Sequence, residues 1–116
     1  MVNSYEFKLA VNLNETGLPF EQAADLAQDL GARNVEFFID DMSCLSSAGA
    51  APYRHLLEAR GLQTHGVGCL PNPFKELHLD QITLADIPTN PLFLHDLDLV
   101  RRSLDFCLEV GGRSLR

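Results

Sequence analysis

The sequence predicts an α/β fold built from parallel βαβ units. Segments with apolar residues at every second position alternate with segments whose apolar residues recur at helical spacing. One junction also repeats: helix, glycine, two or three residues, strand. It stands as Leu30-Gly31-Ala32-Arg33-Asn34-Val35, as Arg60-Gly61-Leu62-Gln63-Thr64 and as Val110-Gly111-Gly112-Arg113-Ser114-Leu115. Connections this short belong to parallel strands joined by right-handed helical crossovers. At 116 residues the chain, 1–116, is one domain at most.

Phe7, Leu9, Val11 and Leu13 alternate with Lys8, Ala10 and Asn12, which reads as the first strand. Asn14 to Gly17 follow as a loop. Pro19 suits the first turn of a helix, and Glu21 is favourable near its positive end. Phe20, Ala23, Ala24, Ala27 and Leu30 form its apolar face, and Gly31 stops it. Asn34 to Ile39 is the second strand, rich in β-branched and aromatic residues. Asp40 and Asp41 close it. A second helix is expected from Pro52 to Arg60, then a third strand from Leu62 to Val67.

Between Gly68 and His95 stand Pro71, Pro73, Pro88 and Pro91, so no long helix is expected to cross the region. A helical turn fits Phe74 to Leu79. Long loops in compact domains tend to be functional. The third main helix is expected to start near Asp96 and to bury Leu97, Val100, Leu104, Cys107 and Leu108. The chain then reaches Gly111 to Arg116, where a fourth strand should begin, so a piece of a larger fold is expected.

The composition is 46% hydrophobic and 22% charged, that of a soluble globular protein. A net charge of −7 with nine Lys and Arg argues against nucleic-acid or anionic-membrane partners, which need clustered positive charge. No run approaches the roughly 18 apolar residues of a membrane span. Met1 to Glu6 lack the pattern of a signal peptide. Cys44, Cys69 and Cys107 are odd in number and contain no CxxC, which suits thiols in a reducing cytoplasm. There is no HExxH, P-loop, GxGxxG or GxSxG.

Taken in order, Lys8-Leu9-Ala10-Val11-Asn12, Pro19-Phe20-Glu21-Gln22-Ala23, Leu30-Gly31-Ala32-Arg33-Asn34-Val35-Glu36-Phe37, Leu56-Leu57-Glu58-Ala59-Arg60-Gly61-Leu62 and Leu104-Asp105-Phe106-Cys107-Leu108-Glu109-Val110-Gly111 resemble the first half of the xylose isomerase-like TIM barrels. These form the sugar phosphate isomerase/epimerase superfamily. The resemblance implies the N-terminal half of a (β/α)8 TIM barrel, with three to four strands and three main helices. It implies a sugar or sugar-phosphate substrate and a divalent metal (Mn, Mg or Zn) in the full-length family. Paired glutamates there move a proton beside a carbonyl whose oxygen the metal polarises. Those ligands lie mostly on later strands, so no metal is expected on this chain alone, and no catalytic residue is assigned.

Two other readings remain open. One is a non-catalytic half barrel that self-associates through exposed sheet edges or needs a partner chain. The other is an apurinic endonuclease-like phosphodiesterase fragment, which the acidic charge disfavours. A flavodoxin-like domain is the alternative fold.

Barrel strands point alternate residues inward. If Leu9, Val11 and Leu13 face the helices, Asn12 faces the interior near the C-terminal rim. There it either binds a sugar hydroxyl or caps the loop. Glu36, Phe38 and Asp40 point inward from the second strand. Glu36 is either paired structurally, with Lys8 as the expected partner, or a ligand-binding group. His65, beside Gly66 and Gly68, is the best-placed histidine for a ligand, against a structural role. Asn12, Glu36 and His65 are therefore the candidate substrate-binding residues. His55, His78 and His95 do not converge by any sequence spacing.

Overall fold

In a computed structural model, the described residues are 9–39, 41–46, 48–69 and 83–116. They form four parallel strands in the sequential order β1-β2-β3-β4: β1 (Ala10–Asn12), β2 (Asn34–Ile39), β3 (Gln63–Cys69) and β4 (Ser114–Leu115). Three helices connect them: α1 (Phe20–Asp29), α2 (Ala50–Glu58) and α3 (Pro91–Glu109).

The repeated glycine junction has one physical basis in all three places. Gly31, Gly61 and Gly111 take φ of 77, 67 and 84°, the left-handed region that ends a helix most cheaply without a β-carbon. In each, the next amide bonds back five residues: Ala32 N to Ala27 O at 3.0 Å, Leu62 N to Leu57 O at 2.9 Å, Gly112 N to Cys107 O at 2.8 Å. The chain thus leaves each helix at the same angle and enters the next strand within three residues.

One face of the sheet carries the core. Val35, Phe37 and Ile39 of β2 are buried, as are Leu13, Val67, Ala23, Ala24, Ala27, Leu57, Phe106 and Val110. Phe37 sits amid one aromatic ring from each helix. Phe20 of α1 meets it edge-on at 5.0 Å, Tyr53 of α2 stacks at 6.0 Å, and Phe106 of α3 meets it edge-on at 6.2 Å. Offset and edge-to-face pairs are favoured by the ring quadrupole. All three helices therefore pack on the same face. A flavodoxin-like domain would reverse its strand order and cover both faces. Sequential order with helices on one face is the arrangement of half a (β/α)8 barrel.

Several boundaries differ from the sequence expectation. The third helix starts at Pro91, not near Asp96. Asn90 accepts hydrogen bonds from Leu92 N at 2.9 Å and Phe93 N at 3.4 Å, and Pro91 occupies the first helical position, where its missing N–H costs nothing. The second helix starts at Ala50, and β3 runs to Cys69. Leu30, Leu104 and Leu108 are exposed, whereas Ser103 and Phe106 are buried. The buried face of α3 is thus rotated from the stripe expected. Ser103 fits there because its hydroxyl donates to Leu99 O at 2.7 Å and accepts from the Cys69 thiol at 3.2 Å. Leu9 lies outside β1 and is exposed. The turn expected at Phe74 to Leu79, and Phe7, Lys8 and Asp40, lie outside the described residues.

Candidate functional site on the open face of the sheet

The face of the sheet away from the helices carries polar and small residues in register. Asn12 of β1 stands opposite Glu36 of β2, Glu36 opposite Gly66 of β3, and Gly66 opposite Ser114 of β4. This row depends on a bulge. Val35 pairs with Thr64 and Glu36 with Gly66, so His65 has no counterpart. One extra residue reverses the alternation of a strand. Thr64 and Val67 consequently both reach the core, three residues apart, while Gly66 and Gly68 fall on the open face.

The two glycines leave β3 without side chains between β2 and β4. Glu36 uses that space. Its Oε2 accepts from the Arg116 guanidinium, reaching over the intervening strand. A β-carbon at Gly66 would stand 2.8 Å from Ser114 Oγ and 3.4 Å from Glu36 Oε1, and one at Gly68 would run into the Phe38 ring. The Glu36 side chain is 21% exposed and that of Arg116 64%. The expected partner, Lys8, lies outside the described residues. From the sequence alone, Arg116 is assigned no partner. The alternation Ser114-Leu115-Arg116, polar about an apolar residue, is the signal that could have placed it on the open face.

Asn12 uses its side-chain oxygen to accept from Asn14 N at 3.1 Å, a local turn that holds the end of β1. Asn14 in turn accepts from Phe38 N at 2.8 Å and ties that loop to β2. Asn12 and Glu36 are brought side by side. His65 is not: it lies at the bulge near the start of β3, lining a cavity at the N-terminal ends of the strands. His55 and His95 are exposed on α2 and α3, and His78 lies outside the described residues. Asp41 accepts from Ser43 N at 2.9 Å, and hydrogen bonding to Ser43 holds its carboxyl below the usual range.

The open face therefore offers a carboxylate, a guanidinium, an amide and a hydroxyl, a set that hydrogen-bonds polyols and oxyanions. Among the described residues, no group of three or more His, Cys, Asp or Glu comes together. These residues do not by themselves fit a metal centre, and no chemical step is assigned to one. Among the described residues no helix is long and apolar enough to cross a membrane.

No protein-family profile and no curated protein matches the chain. Among solved structures it is similar to the crystal structure of an AP endonuclease, family 2, from Brucella melitensis. The identity is 22% with a TM-score of 0.60, over 93% of this chain and 39% of that one. At this identity the likeness shows the fold. The chain spans about two fifths of the length of that structure, in keeping with half a barrel.

Proposed function

We propose that this chain supplies the N-terminal half of a sugar or sugar-phosphate isomerase or epimerase barrel and has no turnover by itself. The observation that carries the reading is the open-face row of Asn12, Glu36, Gly66 and Ser114, with Arg116 paired to Glu36 across the glycines. In a closed barrel this face lines the interior, and the strand ends above it form the rim where barrel enzymes hold substrate. There Glu36 would accept from a sugar hydroxyl, and Arg116 would take a hydroxyl or phosphate oxygen. The xylose isomerase-like resemblance of the sequence supports the substrate class. The divalent metal of such enzymes would need ligands beyond the described residues. The cytoplasm is the compartment that suits the reduced thiols.

The test is to isolate the polypeptide carrying this sequence from its own cells, determine its mass and assay aldose–ketose and epimer interconversion. The expected mass is that of a whole barrel, roughly 250 residues, with turnover that falls at least about tenfold in Glu36→Gln. Turnover indifferent to both Glu36→Gln and Arg116→Gln would remove the open face from the reaction.

A second reading is favoured by the exposure of Leu104 and Leu108 on α3 and by the β1 and β4 edges, which have no strand partner among the described residues. In it the half barrel is non-catalytic and is completed by self-association. A mature polypeptide of 12.9 kDa without turnover would select this reading. A phosphodiesterase role, which the neighbour's name suggests, sits poorly with a net charge of −7.

A further inference from the structure

The opposite end of the sheet holds a second constellation, independent of the open face. A cavity of about 290 Å³ lies at the N-terminal ends of β2, β3 and β4, between the C-terminal ends of α2 and α3. Leu57, Leu62 and Val110, all buried, contribute its apolar lining. Its polar lining includes Thr64, His65 and Arg113, with the amide side chains of Asn34 and Gln63.

Three features of this cavity point to a ligand. Thr64 Oγ1 is the buried side-chain oxygen that lacks any hydrogen-bond partner among the described residues. A buried hydroxyl left unpaired costs free energy that a ligand oxygen would recover. Arg113 has no ion-pair partner among the described residues, although the chain is strongly acidic. The other guanidinium at the cavity, Arg54, is already committed: it bonds Glu58 at 2.7 Å and reaches Glu109 O at 3.4 Å, joining α2 to the end of α3. Glu58, the carboxylate of the lining, is neutralised by that bond, and its pKa is lowered chiefly by the hydrogen bond from Arg54. Among the side chains of the lining, the Arg113 charge is thus left uncompensated, and the carbonyl ends of α2 and α3 beside it are closed by the Gly61 and Gly111 turns and by Arg54.

We propose that this cavity binds a small phosphomonoester. Arg113 offers a two-pronged donor to the phosphate, and His65 and Thr64 offer donors from β3. Two donors on β3 and a third from the residue that precedes β4 approach from different sides, which suits the three acceptor oxygens of a phosphate. The volume approaches the lower end of small-molecule sites, about 300 Å³, so the ester group is accommodated with the phosphate. The bulge at His65 is what makes the site. It turns Thr64 toward the helices and sets His65 beside the start of β4, where His65 O accepts from Arg113 N at 3.1 Å. The site lies at the end of the strands away from the rim of a barrel active site. Its ligand would join the ends of α2 and α3 to the sheet, as an effector that stabilises the fold rather than as a substrate.

The test titrates the whole chain with glycerol 3-phosphate and, separately, inorganic phosphate, following thermal unfolding and backbone amide shifts. The expected result is saturable binding of glycerol 3-phosphate in about the millimolar range, with a rise in midpoint temperature. Shifts should concentrate at Gln63, Thr64, Val110 and Gly111. Arg113→Gln should weaken binding about tenfold or more, while Arg101→Gln, on the exposed side of α3 and away from both sites, leaves it unchanged. Inorganic phosphate binding as tightly as the ester would overturn the ester specificity. No saturable binding by the unsubstituted chain, or binding abolished by Arg116→Gln but not by Arg113→Gln, would overturn the site. The latter result would move the anion to the open face and leave the proposed function standing.

Discussion

Glu36 shows how a residue's role changes with its partner. From the sequence it is an inward carboxylate in search of a cation, with Lys8 adjacent. In the structure the cation is Arg116, eighty positions away and two strands across. The pair is partly exposed, so it is screened, and removing either member should cost only about 0.5–1 kcal/mol. A double-mutant cycle with Glu36→Ala and Arg116→Ala, read by urea unfolding, should give a coupling of about 0.5 kcal/mol. A coupling of zero would show that Arg116 does not hold Glu36 in solution. Unfolding or aggregation on Glu36→Ala alone would require a much drier site than the one described.

Two contacts between elements are open to a sharper test. Arg60, just past α2, donates to Asp25 at 2.6 Å and Glu21 at 3.0 Å on α1, and to Leu56 O at 3.0 Å. Its side chain is 17% exposed, so this fork is better shielded than an ordinary surface pair. Hydrogen bonding to Asp25, ahead of that to Glu21, raises its pKa. Arg60→Lys keeps the charge but loses the three-way geometry, and should lower the midpoint of denaturant unfolding; an unchanged midpoint would show that the fork adds nothing to the α1–α2 contact. Asn90 caps α3 through one side-chain oxygen. Asn90→Ala should cost about 1 kcal/mol, and amide exchange should accelerate at Leu92 and Phe93 before the rest of the helix. Unchanged exchange there would mean that Pro91, not Asn90, sets the start of α3.

For the whole molecule, the consequence is an unequal covering of the sheet. One face is sealed by three helices around Phe37, whereas the other displays Glu36, Phe38 and Arg116, and Leu104 and Leu108 stand exposed on α3. Among the described residues the outer edges of β1 and β4 have no strand partner, and unpaired edges with exposed apolar side chains favour association. The isolated 116-residue chain is therefore expected to sediment as a concentration-dependent mixture above monomer mass. Leu104→Lys with Leu108→Lys should shift it toward monomer without changing helical content. A monomer at about 100 μM would speak against a half barrel completed by a second copy, because even micromolar affinity would populate the dimer there.

The local sequence determined the order of strands and helices, the glycine junctions and the apolar face of β2, because these follow from periodicity and from backbone conformations that glycine adopts at little cost. It also placed Glu36 on the open face, since Val35, Phe37 and Ile39 alternate cleanly about it. What only the tertiary structure decided was anything that depends on phase between elements. The bulge at His65 breaks the alternation of β3, and no spacing rule announces it. Helix α3 is turned so that Phe106 meets Phe37, which leaves Leu104 and Leu108 outside and brings Ser103 within. The union of Glu36 with Arg116, and of His65 with Arg113, depends on strand register, a long-range property that neighbours along the chain cannot encode by themselves.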